Sequence, residues 1–257
     1  MRFTVLGKSP AWQDAGGACS AYLVEEDEYR LLVDCGNGAF GKLRERLSYA
    51  LVDDVLISHI HGDHVLDLPP FAYALTLGLP PEQTPPRPRL LVPPGGAAKL
   101  RALVTIWGSE GLLDDAFVLS EYEHDAELEL GPLRIELHEV PHFTLTYAIA
   151  ITAPSGKRLV YGADCRCGPE LEAAAQGADV LVAEATLQVP EPDSVPIERR
   201  GHMSAGEAAG VAAAAGVGTL VLTHISDQLD HDAAVAAARE RFSGTIEVAT
   251  PGAAWEL

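Results

Sequence analysis

The sequence predicts an α/β layered sandwich whose strands deliver functional loops at one edge. Strand-then-helix segments recur in both halves of the 257 residues, and the last quarter alternates helix, strand, helix, strand in the manner of βαβ crossovers. A hydrophobic fraction of 47% supplies a substantial core at this length and excludes disorder as the main state. Residues 1–257 read as one such unit.

Taken in order, Phe3–Gly7, Ser20–Glu25 and Tyr29–Asp34 are apolar runs separated by turn residues and charges, which predicts a meander. After Gly36, Gly38 and Gly41, residues Lys42–Leu47 suit a helix, and Val52–Ser58 gives another strand. Seven prolines between Pro80 and Pro94 interrupt regular structure around the short run Leu90–Val92. That segment reads as a surface loop, with a lid over a pocket as the alternative. Strands follow at Leu133–Val140, Ala148–Thr152 and Lys157–Tyr161, then an Ala-rich helix and the strand Val180–Glu184. From Ser204 come a helix, a strand at Thr219–Thr223, a helix at Asp232–Arg241 and a strand at Thr245–Ala249.

The net charge of −19 excludes a polyanion-binding surface, because affinity for nucleic acid comes from Lys and Arg displacing counterions. A small anion held by a metal is compatible with it. Cys19, Cys35, Cys165 and Cys167 are too few and too irregularly spaced for a disulfide framework, which points to a reducing compartment. The first ten residues lack the apolar core and cleavage site of a secretory signal, so a cytoplasmic location is expected. The longest stretch of low polarity, Ala208–Leu222, spans 15 residues and is broken by three glycines. It falls short of the roughly 20 needed to cross a bilayer, and no membrane association is expected.

The chemistry concentrates in Ser58–His64, SHIHGDH, directly after an apolar strand. His59 and His61 are two apart and can point to the same side, while Asp63 and His64 curl to a neighbouring point, an arrangement suited to two adjacent metal ions. Two ions need further ligands, and candidates stand at the ends of later strands: His142 after Val140 and Pro141, Asp164 after Leu159–Ala163, and His224 after Leu220–Thr223. Asp164 is the natural bridge, since a carboxylate has two oxygens.

In this pattern the sequence resembles the metallo-β-lactamase superfamily, whose HxHxDH, His, Asp, His series matches these seven residues in order over the whole chain. The resemblance implies a four-layer αββα sandwich, with His59, His61 and His142 on one metal, Asp63, His64 and His224 on the other, and Asp164 between them. It places Asp34 of LLVDCG behind the histidine loop as a support. Gly201–Ser226 is similar to the RNase Z-like branch, in which a histidine, here His202, precedes a helix and a strand leading to the last ligand. Ser204 and Glu207 form a capping box, so that helix starts just after His202. Ser204 is thereby placed in the outer shell of the site, with the positive helix end near a bound phosphate. AEATL, Ala183–Leu187, is similar to the branch's Glu-Ala-Thr motif and implies that Glu184 orients His202.

The sequence also departs from tRNA-processing members of that branch. Only 21 residues lie between His142 and Asp164, leaving no room for the basic arm that binds tRNA in those enzymes. What remains looks like the armless branch that includes bacterial cyclic-nucleotide phosphodiesterases. Even with Asp63, Asp164 and a hydroxide set against two divalent cations, such a site stays positive and favours a small anionic substrate. The expectation is a di-metal phosphodiesterase, with Asp63 as proton acceptor and His202 stabilising or protonating the leaving oxygen. Histidine-rich ligation points to zinc, with manganese and iron as alternatives. A thioester or lactone hydrolase and a silent binding subunit are the competing readings, and a homodimer is the assembly the resemblance implies. Cys165 and Cys167 read as packing residues, Arg166, His124, His138 and His231 as lying outside the site, and Tyr147 and Phe143 as core.

Overall fold

A computed structural model describes residues 1–80 and 86–257. Among them, fourteen strands form two seven-stranded sheets. In the first sheet β1 (Arg2–Gly7), β2 (Ala21–Glu26) and β3 (Tyr29–Val33) make the predicted antiparallel meander. β4 (Asp54–Leu56), β5 (Arg89–Val92) and β6 (Val118–Glu121) then continue it in parallel. In the second, β7 (Glu127–Leu130), β8 (Leu133–Val140), β9 (Thr146–Thr152) and β10 (Arg158–Tyr161) are antiparallel, and β11 (Val180–Glu184), β12 (Thr219–Thr223) and β13 (Thr245–Val248) extend β10 in parallel. β14 (Ala254–Glu256) returns to pair with β1 at the edge of the first sheet.

Helices cover the outer faces. α1 (Ala39–Arg44), α2 (Gly62–Val65), α3 (Leu68–Leu77), α4 (Gly96–Thr105) and α5 (Leu112–Ala116) belong to the first half. α6 (Pro169–Ala175), α7 (Ala205–Ala215) and α8 (His231–Arg239) belong to the second. The strands alternate accordingly: Tyr22, Val24, Ile149 and Ile151 face the layer between the sheets, whereas Leu23, Ala148 and Ala150 face helices. Burying a Leu or Val side chain contributes roughly 1.5–3 kcal/mol, and a one-residue slip would turn every such side chain to the wrong face, so the alternation fixes the register. The result is the expected αββα stack. None of the described helices is long and apolar enough to cross a membrane.

Several elements differ from the expectation. The helix assigned to Lys42–Leu47 begins earlier, at Ala39, because left-handed Gly38 starts it and its buried face is Ala39, Phe40 and Leu43. Helices α3, α4 and α5 were not read from the sequence. The prolines that open α3 sit in its first turn, where a missing N–H costs nothing. Of the segment Pro80–Pro94, residues 81–85 lie outside the described residues. Pro86 and Pro88 line a polar hollow with Glu28, Arg30 and Asp53, beside the starts of β4 and β5 and away from the histidine loop. Pro86 and Pro88 therefore build no lid over that loop.

Candidate metal centre

The strand ends named in the sequence meet at one edge. β8, β10, β11 and β12 run in one direction, and their carboxyl ends deliver His142, Asp164, Glu184 and His224 to the crevice edge where open α/β sheets carry ligands. β4 delivers the histidine loop, which is pinned from below. Gly36 passes so close to α2 that a Cβ there would lie 1.9 Å from the Asp63 carbonyl oxygen, and Cys35 N donates to the His64 carbonyl at 2.8 Å.

Two groups of side chains converge. His59, His61 and His142 each offer one nitrogen, and Asp63, His64, Asp164 and His224 each offer one ligand atom, with the atoms of each group within 4.8 Å of one another. His142 Nε2 lies 3.2 Å from His61 Nδ1, and His224 Nε2 lies 3.1 Å from Asp63 Oδ2. Asp164 stands between the groups: Oδ2 is 3.9 Å from His59 Nε2, 4.0 Å from His142 Nε2 and 3.2 Å from His224 Nε2, and Oδ1 is 3.4 Å from His64 Nε2. His59 Nε2, His64 Nε2 and Asp164 Oδ1 are buried without a hydrogen-bond partner. Such atoms are expensive to bury unsatisfied, and all three are metal-ligand types turned toward one another. The donor set fits divalent cations.

Four of the five ligand imidazoles, those of His59, His64, His142 and His224, are aimed by their other nitrogen, whereas His61 turns Nδ1 to the cluster. His64 Nδ1 donates to Asp34 Oδ2 at 2.7 Å, His142 Nδ1 to the Gly201 carbonyl at 2.7 Å, and His224 Nδ1 to Thr186 Oγ1 at 2.8 Å. His59 Nδ1 donates to Ser58 Oγ at 3.1 Å, and that hydroxyl donates onward to Asp34. These contacts fix the tautomer that presents Nε2, the usual outer-shell arrangement of a histidine metal site. Asp34, fully buried, also accepts from Ser58 N at 2.8 Å and Tyr161 OH at 2.9 Å.

A second buried carboxylate organises the other side. Glu184 accepts from Cys165 N at 2.8 Å, from His202 Nδ1 at 2.9 Å, from Met203 N at 3.3 Å and from the Thr186 hydroxyl. Burial works against protonation of His202, but the Glu184 hydrogen bond and charge, then Asp164 and Asp63, push it up to about 9. His142 moves the other way, down to about 4, because burial dominates, and burial likewise drives His59 well below the usual imidazole range. Burial raises the Asp164 carboxyl, yet the His224 and His64 imidazoles hold it well below the carboxylate range. Burial also opposes a charge on His64, and the Asp164 and Asp34 carboxylates override it and push its imidazole up.

A cavity of about 470 Å³ opens over these residues. It is lined by His61, Gly62, Asp63, Asp164, Thr186, His202 and His224 and by the apolar Pro10, Ala11, Trp12 and Leu66. Glu184 lies beneath it with no exposed surface.

Ser204 departs from its expected place. Its hydroxyl and backbone N–H are engaged with Glu207 in the capping box of α7, so it positions His202 through the chain and is hydrogen-bonded to none of the seven candidate ligands. Phe143 is not core: it is exposed and lies against Gly201 beside the rings of His142 and His202. Tyr147 is core, as expected. Arg166 turns to the Cys167 carbonyl and Glu170, away from the cavity lining. Thr186, Tyr161 and the Pro10–Trp12 wall were missed by sequence reasoning. Thr186 had a signal, since it stands two residues after Glu184 in the quoted motif. Nothing local marks the others.

Comparison with known proteins agrees with the geometry. A family model described as "Beta-lactamase superfamily domain" matches residues 29–225. The probable metallo-hydrolase YhfI of Bacillus subtilis is 29% identical over 264 residues, covering all of both chains. The crystal structure of YhfI, a metallo-β-lactamase fold protein, matches at 27% identity with a TM-score of 0.86 over 99% of each chain. Protein ML1173 of Mycobacterium leprae is 32% identical over 261 residues, all of this chain and 89% of that one. Ribonuclease Z of Myxococcus xanthus is 29% identical over 307 residues, all of this chain and 98% of that one. With the ligand series at the strand ends of this αββα sandwich, the chain belongs to the β-lactamase superfamily, as a metal-dependent hydrolase close to YhfI and the RNase Z-like proteins.

Proposed function

We propose that the protein is a di-metal phosphodiesterase for small phosphodiesters, cyclic nucleotides such as cyclic AMP among them. The observation that carries this reading is the pairing of two ligand clusters through Asp164 with His202, an imidazole held by Glu184 on the same cavity. Similarity over the full chain to a ribonuclease supports phosphodiester chemistry. No Lys or Arg lines the cavity among the described residues, which suits one phosphodiester group and not a long nucleic acid.

His59, His61 and His142, and Asp63, His64 and His224 with Asp164, would hold divalent cations, zinc by the histidine content, which would supply Lewis acidity to the phosphoryl group and to the attacking water. The chain's residues do the rest. Asp63 lines the cavity and has an oxygen to accept the proton of the nucleophile. His202 Nδ1 is committed to Glu184, so Nε2 serves the cavity: it donates to a phosphoryl oxygen and gives its proton to the leaving alkoxide. Glu184 positions His202 and, through Thr186, His224.

The test is a substrate panel on metal-replete protein of measured metal content. Cyclic AMP and bis-p-nitrophenyl phosphate are expected to turn over far faster than a thioester or a lactone, and precursor tRNA to be cut poorly. The opposite ranking would replace this reading with thioester or lactone hydrolysis. Loaded clusters with no turnover at all would make the chain a binding subunit.

A further inference from the structure

The cavity lining is of two unlike kinds. His61, Asp63, Asp164, Thr186, His202 and His224 are polar or ligand-type, whereas Pro10, Ala11, Trp12 and Leu66 carry no charged group. Trp12 carries 53% of its surface exposed although it sits at the tip of a loop that is otherwise tied down on all sides. Buried Lys8 donates to the Ile225 carbonyl at 2.6 Å, next to His224, and pairs with Asp14. Asp14 in turn accepts from Asp227 N at 3.0 Å, and its own N–H donates to Ser9 Oγ at 3.0 Å. Cys19 Sγ donates to the Pro10 carbonyl at 3.0 Å, and Asn37 Nδ2 donates to Gln13 Oε1 at 2.6 Å. The loop is thus fastened to the segment that carries the last histidine, and its positive charge is spent on Asp14. What it offers to the cavity is an exposed indole on an anchored stretch of backbone.

Holding a large apolar ring in water is unfavourable unless something covers it, and an exposed aromatic face on the same cavity as a phosphoryl site suits a planar ring. We propose that Trp12 is the specificity-determining residue of this centre, stacking on the heterocyclic base of a nucleoside phosphodiester whose phosphate lies at the ligand-type residues. The inference rests on the phosphodiesterase reading and narrows its substrate class to base-bearing small phosphodiesters. The cavity volume lies within the range of small-molecule sites.

The experiment reads binding and turnover separately. In metal-replete protein carrying Trp107→Phe, which removes an exposed tryptophan outside the cavity, the remaining reporters are Trp12 and Trp255, the latter packed on Phe3. Adenosine monophosphate is expected to quench the emission at saturation, and ribose 5-phosphate, which lacks a base, to leave it unchanged. Trp12→Ala should abolish the quenching and lower kcat/KM for cyclic AMP about 10- to 100-fold, the scale of base–aromatic stacking. It should leave the hydrolysis of glycerol 1,2-cyclic phosphate within about twofold, and Trp12→Phe should restore most of the loss. Equal losses on both cyclic phosphates, or quenching by ribose 5-phosphate as strong as by the nucleotide, would overturn the platform while leaving the phosphodiesterase reading in place. Quenching by the nucleotide without hydrolysis of either phosphate would support the platform and remove the phosphodiesterase reading instead.

Discussion

Asp34 and Glu184 are both fully buried carboxylates behind the same centre, yet they organise opposite kinds of region. Asp34 gathers one continuous loop: Ser58 twice, His64 directly, His59 through Ser58, with Tyr161 as the one distant partner. Glu184 gathers pieces from three separate segments: Cys165 beside the bridge, Thr186 just past its own strand on the way to His224, and His202 with Met203 ahead of α7. The loop side resembles a prefabricated unit that only needs backing. The scattered side depends on the sheet to bring its parts together, and one carboxylate then sets the relation between a ligand and an acid.

Removing Asp34 is the severest way to break this comparison. Asp34→Ala leaves Ser58 N, Tyr161 OH and His64 unmatched in the core, and the expected cost is roughly 3–5 kcal/mol of stability with weakened metal binding. Denaturant unfolding of the metal-stripped protein measures the first part. A loss below 1 kcal/mol there would show that the loop holds itself.

Next in size is the division of labour between His202 and His64. His202→Ala is expected to keep both metals while kcat and kcat/KM fall together by about 10²- to 10⁴-fold, with a smaller defect for a p-nitrophenolate leaving group. His64→Ala is expected to lose metal by elemental analysis. Metal loss from the His202 variant, or normal turnover, would move His202 into the ligand set or out of the mechanism.

Glu184→Gln sharpens the comparison through pH. His202 stands near 9 in the folded chain against an ordinary value of 6.5, so the stabilisation from its charged form is complete below pH 6.5 and is lost as pH rises through 9. Activity that needs the protonated ring declines over the same window, and the field of bound cations shifts that decline to lower pH. With glutamine in place of the carboxylate, the alkaline limb of the kcat profile should move further down. A limb that stays put would assign it to another group. The smallest effect is expected from Thr186→Val, which removes the oxygen that aims His224 Nδ1: metal affinity should fall by about 10- to 100-fold in chelator competition, with the fold intact.

These contrasts also explain what was legible in the sequence. His59, His61, Asp63 and His64 share one strand-end loop, so spacing alone displays them, and the capping box at Ser204 announced the start of α7. His142, Asp164 and His224 are single residues that gain meaning only as a series at strand ends. Tyr161 lies 127 positions from Asp34, and its hydroxyl finds that partner only because two sheets stack face to face. Trp12 looks like any loop aromatic until the His224 segment is placed beside it. The helices α3 and α4 escaped because prolines and glycines at their starts read as breaks, when those residues open the helices.

Asp34, Ala163 and His224 stand just past the ends of three strands, and all three take left-handed backbone angles, with φ of 58°, 53° and 50°. Residues with a Cβ hold this conformation at a cost of order 1–3 kcal/mol each, so the surrounding sheets must enforce it. Metal uptake is therefore expected to be a local event in an already ordered chain, unlike the zinc modules that fold on binding. Calorimetry of loading should accordingly register proton release and ligand exchange with little change in heat capacity, because almost no apolar surface leaves water in that step.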